Sequence, residues 1–227
     1  MDFEKGELLL IDKPIRWTSF DVVKKVRGMS KAKKVGHAGT LDPLATGLLI
    51  LCTGKMTKKI DEYQAQEKEY TGSFTLGETT PCYDREQPVD ATYPTDHISE
   101  TAIHDATKFF TGVLQQMPPP HSAIKIGGKK AYELARKGKV VDIQPRSIEI
   151  SVFEITNIQM PTVFFRVVCS KGTYIRSLAH DFGKYLNSGA CLDSLCRTRI
   201  GNFLLSDAQS MEAFALKIDA LKEDVNN

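Results

Sequence analysis

Val35-Gly36-His37-Ala38-Gly39-Thr40-Leu41-Asp42-Pro43-Leu44-Ala45-Thr46-Gly47-Leu48-Leu49-Ile50-Leu51 is the stretch on which the reading of this chain turns. Residues 35–47 are too rich in Gly and turn formers for a regular element, and the apolar run 48–51 reads as a buried strand. Gly39 and Gly47 permit close approach of backbone to a ligand, and Pro43 has no N–H to offer the Asp42 carboxylate. On residue types alone Asp42 is either a nucleophile or general base, or the turn former that Asp before Pro most often is. A phosphate cradle would want Gly-Lys-Ser/Thr; Thr53-Gly54-Lys55 echoes it faintly.

Outward from this loop, Leu8-Leu9-Leu10-Ile11 reads as a short buried strand. Thr18 or Ser19 caps a helix, because Asp21 stands three after Thr18 and Phe20, Val22, Val23 and Val26 form one apolar face. Gly28 is its expected stop. A second helix is expected near 55–65, with Met56, Ile60 and Tyr63 on one side. Tyr70, Gly72, Phe74 and Leu76 alternate with polar residues at the strand period. A helix follows over 99–111 with Gly112 closing it, and a short basic helix is expected from Lys129 to Lys137. Strands near 146–157 and 162–170 flank Pro161. Thr173 is expected to cap a helix to about 187, followed by a strand near 194–200 and a helix near 207–218. Strands and helices mix without βαβ alternation, so the fold class is α+β rather than a doubly wound sheet.

The chain has 227 residues, which suits one large domain or a domain with an inserted segment, given about 150 residues per domain. It is 41% hydrophobic and 26% charged, which excludes disordered, collagen-like and coiled-coil chains. No run approaches the roughly 18 apolar residues of a membrane span, and Met1-Asp2-Phe3-Glu4-Lys5 does not open a secretory leader. A cytoplasmic location is expected. Five cysteines without a CxxC pair read as reduced thiols rather than a disulfide or zinc framework.

Net charge is +2, but the charges are segregated. Residues 1–60 hold twelve Lys/Arg against six Asp/Glu and residues 121–146 seven against two, while residues 78–108 hold seven acids against two bases. A basic face beside an acidic one is a footprint for a polyanion, although lysines at 24, 25, 31, 33 and 34 also suit a solvated helix and its exit loop.

Two further segments carry chemistry. Cys169-Ser170-Lys171-Gly172-Thr173-Tyr174-Ile175-Arg176 sets an aromatic ring and a guanidinium two residues apart at a strand-to-helix turn, a pair able to stack a base and hold an anion. Taken alone it is equally a capped helix with a surface Arg. Gln116 to Gly128, with Pro118-Pro119-Pro120, lacks the periodicity of a polyproline ligand and reads as a structured loop.

Together these segments resemble the TruB family of tRNA pseudouridine synthases. Gly39 to Gly47 preceded by His37 resembles its signature, and Lys68-Glu69-Tyr70 with Leu76-Gly77 its second block. The Pro-rich segment running into Ser122-Ala123-Ile124-Lys125, Tyr132 and Ala135-Arg136 resembles its RNA-gripping, thumb-like insertion. Ser170 to Arg176 with Asp181 and Gly183 resembles its last block. The likeness spans about residues 6–201.

The resemblance implies the pseudouridine synthase fold, a mixed, largely antiparallel sheet flanked by helices, and isomerisation of uridine to pseudouridine at position 55 in the T-loop of tRNA, with no cofactor or metal. By that analogy Asp42 attacks the base or C1′, the uracil detaches, rotates and re-bonds through C5, and the base is flipped into a pocket. His37 would fill the space it leaves, and Tyr70 would stack on it. Tyr174 would shape the pocket, Arg176 would keep Asp42 ionised, and Leu195 would line the pocket. Lys125, Lys129 and Lys130 would grip the T-arm backbone, as would Arg136 and Lys137. The expected partner is tRNA, with no membrane and no obligate protein partner. Two departures stand out. Arg16 occupies a position that is usually Gly, implying a turn of non-glycine shape. Residues 202–227 are too few for the PUA-type domain that many members carry, so a single catalytic domain over 1–227 with an insertion at about 115–145 is expected. The alternative is an RNA-binding or tRNA-folding module with a vestigial loop, which would have no need for Asp42, Tyr70 and Arg176 together.

Overall fold

Thr18 and Asp21 form the expected capping box, each satisfying the other's backbone N–H. This is seen in a computed structural model, which describes residues 1–120, 122, 125–126, 129–130 and 144–226. The chain divides into two units, residues 1–70 with 195–227, and residues 71–194.

In the first unit, β1 (Leu8–Lys13) pairs antiparallel with β3 (Ala45–Thr53), and β2 (Val35–His37) pairs antiparallel with the far end of β3. Residues 195–197 of β12 (Ala190–Ile200) run parallel to the start of β3, and β13 (Phe203–Leu204) extends β12. Helix α1 (Ser19–Ser30) and the C-terminal α5 (Met211–Asn226) cover one sheet face. Leu49 and Leu51 point into that core with Leu9, Ile11, Val22, Val26 and Phe214. Leu48, Ile50 and Cys52 point the other way, onto Ile200, Met56 and Ile60. The period of two thus explains a run, 48–52, that is apolar at every position: it is buried on both faces.

The second unit holds the rest of β4 (Lys68–Leu76) together with β5 (Glu78–Thr79), β6 (Ala91–Thr92) and α3 (Glu100–Phe109). It also contains β7 (Gly112–Gln116), β10 (Arg146–Gln159), β11 (Thr162–Cys169) and α4 (Ile175–Tyr185). β10 pairs antiparallel with β11 and with β7. Phe74, Phe110, Phe153 and Phe165 pack in and around the ring of Phe182. The observed elements bear out α+β and a largely antiparallel sheet.

Several local expectations need correction. The Gly-rich stretch is partly regular, because Val35–His37 pairs with β3 as β2 and β3 starts at Ala45. The helix near 55–65 is a 3-10 turn (Gly54–Lys59) before α2 (Ile60–Ala65). Helix α1 continues past Gly28 to a left-handed Lys31. Gly112, at φ 103°, opens β7 after α3 has ended. Thr173 does not cap α4: Tyr174 holds that position, and the Thr173 hydroxyl donates to the Ser170 carbonyl. The final helix begins at Met211 and is longer than expected.

Lys125–Ile126 (β8) and Lys129–Lys130 (β9) pair as a short hairpin. The helix expected from Lys129 therefore starts as strand, and its residues 131–137 lie outside the described residues.

Candidate active site

Asp42 sits where three backbone ties converge. On its N-terminal side the Leu41 N–H donates to Ser19 Oγ at 2.8 Å, and that hydroxyl lies 3.2 Å from the Leu41 carbonyl. Ser19 is buried in the first turn of α1, so the helix start holds the loop. On the other side the Arg16 N–H donates to the Pro43 carbonyl at 2.7 Å, and the Ala45 N–H donates to that of Asp42 at 3.1 Å. The expected non-glycine turn at Arg16 is not formed. Arg16 takes φ 67°, the left-handed conformation natural to glycine, which a β-carbon makes costly.

Two buried cations support this loop. Lys13 is fully buried, with its ammonium donating to the carbonyls of Pro14 at 2.9 Å, Trp17 at 2.5 Å and Pro43 at 3.4 Å. Burial pulls its pKa down to about 8, while the charge of Asp42 pulls the other way. Arg197 on β12 is 1% exposed. Its Nε donates to the Leu48 carbonyl at 2.8 Å and its Nη2 to the Gly39 carbonyl at 3.1 Å, so one guanidinium joins the loop to β3. Gly47, at φ 98°, lies so close to this strand that a β-carbon would stand 2.4 Å from the Arg197 carbonyl oxygen.

His37 ends β2, and burial, reinforced by the charge of Arg197, lowers its pKa and favours neutral imidazole. Leu195 is half-buried opposite Ala45, and its carbonyl accepts from Thr46 Oγ1 at 3.4 Å. Tyr70 is buried in β4. The first unit therefore contains Asp42, His37, Leu195 and Tyr70.

Tyr174 and Arg176 belong to the second unit. The Tyr174 N–H donates to Gln116 Oε1 at 2.8 Å, and Gln116 Nε2 returns a bond to the Tyr174 carbonyl at 3.0 Å. This amide fixes the first residue of the turn into α4. Arg176 is 5% exposed rather than a surface residue. Its Nη1 donates to the Cys82 carbonyl at 3.1 Å, and its Nε lies 3.6 Å from the buried Asp84 carboxylate.

Side chains of Lys125, Lys129 and Lys130, and all of Arg136 and Lys137, lie outside the described residues. Sequence reasoning passed over Ser19, Lys13, Arg197, Gln116 and Asp84 as site supports. Nothing in their local pattern marks them: Ser19, Arg197, Gln116 and Asp84 act on groups distant in sequence, and Lys13, which also bonds the nearby Pro14 and Trp17 carbonyls, reaches Pro43 across 30 positions. Among the described residues no group of three His, Cys, Asp or Glu is placed to hold a metal ion.

Comparison with known proteins gives a consistent set. The profile of the TruB family pseudouridylate synthase, N-terminal domain, matches residues 27–175. A Flavobacterium johnsoniae protein named tRNA pseudouridine synthase B is 53% identical over 220 residues, covering 94% of this chain and 96% of that one. A Bacteroides thetaiotaomicron protein of the same name is 49% identical, covering 100% and 98%. Among solved structures, an H/ACA RNP bound to a substrate RNA containing 2′-deoxyuridine matches with TM-score 0.74 and 26% identity. A Cbf5-Nop10-Gar1 complex matches with TM-score 0.76 and 28% identity. Both matches cover 98% of this chain, but the chain spans only 56% and 57% of theirs.

Proposed function

This chain belongs to the TruB pseudouridylate synthase family, and on that premise we propose where on tRNA it acts and which residues carry the chemistry. It is an enzyme that isomerises uridine to pseudouridine in tRNA. The proposed target is uridine 55 of the T-loop, and the proposed nucleophile is Asp42. One observation carries that assignment: the backbone is tied at Leu41, at Asp42 and at Pro43. A carboxylate on so constrained a loop has its orientation set before substrate arrives, which is where rate is gained.

In the proposed reaction the uridine is flipped out of its loop, and Asp42 attacks the base or C1′. The N1–C1′ bond breaks, a C5–C1′ bond forms, C5 gives up a proton and N1 takes one, so the product is an isomer. Tyr70 is assigned to stack on the uracil, and Tyr174 to shape the pocket and assist proton removal from C5. Arg176 is assigned to keep the carboxylate ionised, His37 to fill the vacated space in the RNA loop, and Leu195 to line the base pocket. The basic insertion is assigned to the T-arm phosphates. The mechanism calls for neither metal nor cofactor, and we place it in one catalytic domain acting in the cytoplasm without an obligate protein partner. No helix among the described residues is long and apolar enough to cross a membrane.

Asp42→Asn is nearly isosteric and removes the nucleophile. Single-turnover pseudouridine formation with saturating enzyme is expected to fall by many orders of magnitude. Filter binding of unmodified tRNA should stay near wild type, because affinity comes chiefly from contacts elsewhere. Product at near wild-type rate with Asn at 42 would remove this carboxylate from the mechanism. A binding module with a vestigial loop would give no product even with the native residue.

A further inference from the structure

Helix α1 and the turn before it enclose a surface groove of about 560 Å³, lined by Arg16, Trp17, Asp21, Lys24, Lys25, Gly28 and Met29. We propose that this groove holds a strand of the substrate RNA, its phosphates on Arg16, Lys24 and Lys25 and a ribose or base face on Trp17 and Met29. The proposal rests on the functional reading above and adds to it a binding surface outside the thumb insertion.

Three features of the groove support it. Residues 21, 24, 25 and 28 follow i, i+3, i+4, i+7 spacing and so form one stripe of the helix. That stripe carries two exposed lysines, and its single carboxylate is occupied elsewhere. Asp21 accepts from the Thr18 backbone at 2.8 Å and its hydroxyl at 2.6 Å, bonds that hold its pKa down and turn it to the helix cap. Asp21 stays ionised, but Arg16, Lys24 and Lys25 outnumber it, so the net charge lining the groove is positive.

Gly28 is helical, yet a β-carbon there would meet nothing within 4 Å. Glycine inside a helix costs about 1 kcal/mol relative to alanine, and no packing requirement explains it. What glycine does supply is an open groove floor. Arg16 makes a parallel case, because it takes the left-handed φ of 67° where glycine would sit without strain. Such strain persists where the side chain has work to do. Its N–H also ties it to Pro43, next to Asp42, so a strand in the groove lies on the approach to the nucleophile.

Unmodified tRNA is the probe, titrated by filter binding at several salt concentrations, with single-turnover pseudouridine formation measured alongside. Lys24→Gln with Lys25→Gln should weaken binding about tenfold and flatten the salt slope by roughly 0.7–0.9 per lost contact. Gly28→Leu leaves the charge unchanged, favours the helix and fills the groove; it should raise the melting temperature while weakening tRNA binding. Arg16→Gly relieves the strained backbone and should also bind more weakly without loss of stability. Lys108→Gln with Lys222→Gln removes equal charge from exposed sites elsewhere and should bind as wild type. Wild-type affinity and salt slope in both the lysine pair and Gly28→Leu would overturn the groove, as would an equal loss in the Lys108 and Lys222 pair. Failure of the wild-type enzyme itself to form pseudouridine would instead sink the functional reading.

Discussion

Replacing Arg197 by Met keeps an apolar stem of similar length and removes the guanidinium that joins the Asp42 loop to β3. The change strips the donors from two carbonyls, Leu48 at 2.8 Å and Gly39 at 3.1 Å. A buried acceptor deprived of its partner costs about 1–3 kcal/mol; the Leu48 carbonyl carries that cost and the part-buried Gly39 carbonyl adds less, so the change costs about 1–4 kcal/mol. That is a large share of the roughly 5–15 kcal/mol that holds a domain folded. Urea unfolding, followed by the fluorescence of the single tryptophan, measures it, since Trp17 packs against the α1 core of the same unit. The midpoint should fall with the m-value unchanged, the signature of lost stability in an otherwise similar transition. A loosened Gly39 also frees one end of the loop bearing Asp42, and a displacement near 1 Å costs on the order of 10²-fold in rate. Arg197→Lys should fall between, because ammonium keeps the charge without the fork that reaches both carbonyls. A stability loss below about 1 kcal/mol with single-turnover rate within twofold of wild type would refute the claim that this guanidinium organises the loop.

Two further outcomes are expected. His180 stacks on Tyr83 with ring centroids 3.9 Å apart, and burial, with Lys184 adding to it, pulls its pKa to about 4. Between pH 6.5 and 4 the unfolded chain then binds the proton that the fold refuses, so stability falls as pH drops through that window. His180→Phe keeps the stack and does not titrate, and wild type should lose about 1–2 kcal/mol more than this variant from pH 7 to 4, allowing for partial solvent access; parallel acid titrations would be evidence against it. For the insertion, Lys129→Ala with Lys130→Ala should weaken tRNA binding and flatten the salt slope by about one unit per lost contact, and an unchanged slope in filter binding would show that these lysines only solvate the surface.

What the sequence by itself determined were features encoded within a few residues: the Thr18–Asp21 cap, the apolar run 48–51, the alternation from Tyr70 to Leu76 and the loop around Asp42. Each depends on a spacing that local geometry turns directly into a helix start, a strand or a turn. Resemblance, rather than any single residue, pointed those segments to pseudouridine chemistry. Tertiary structure alone decided which charges are buried and what they hold. Arg197 reaches Gly39 across 158 positions and Arg176 reaches the Cys82 carbonyl across 94, separations at which a residue's identity says nothing about its neighbours. The same holds for Lys13, whose burial lies behind a residue type that is nearly always exposed. Gly28 reads as a helix stop from its type, and only the surrounding space shows it to be an open floor. A buried cation is tolerated where backbone carbonyls converge on it, and that convergence is made by chain segments brought together in folding.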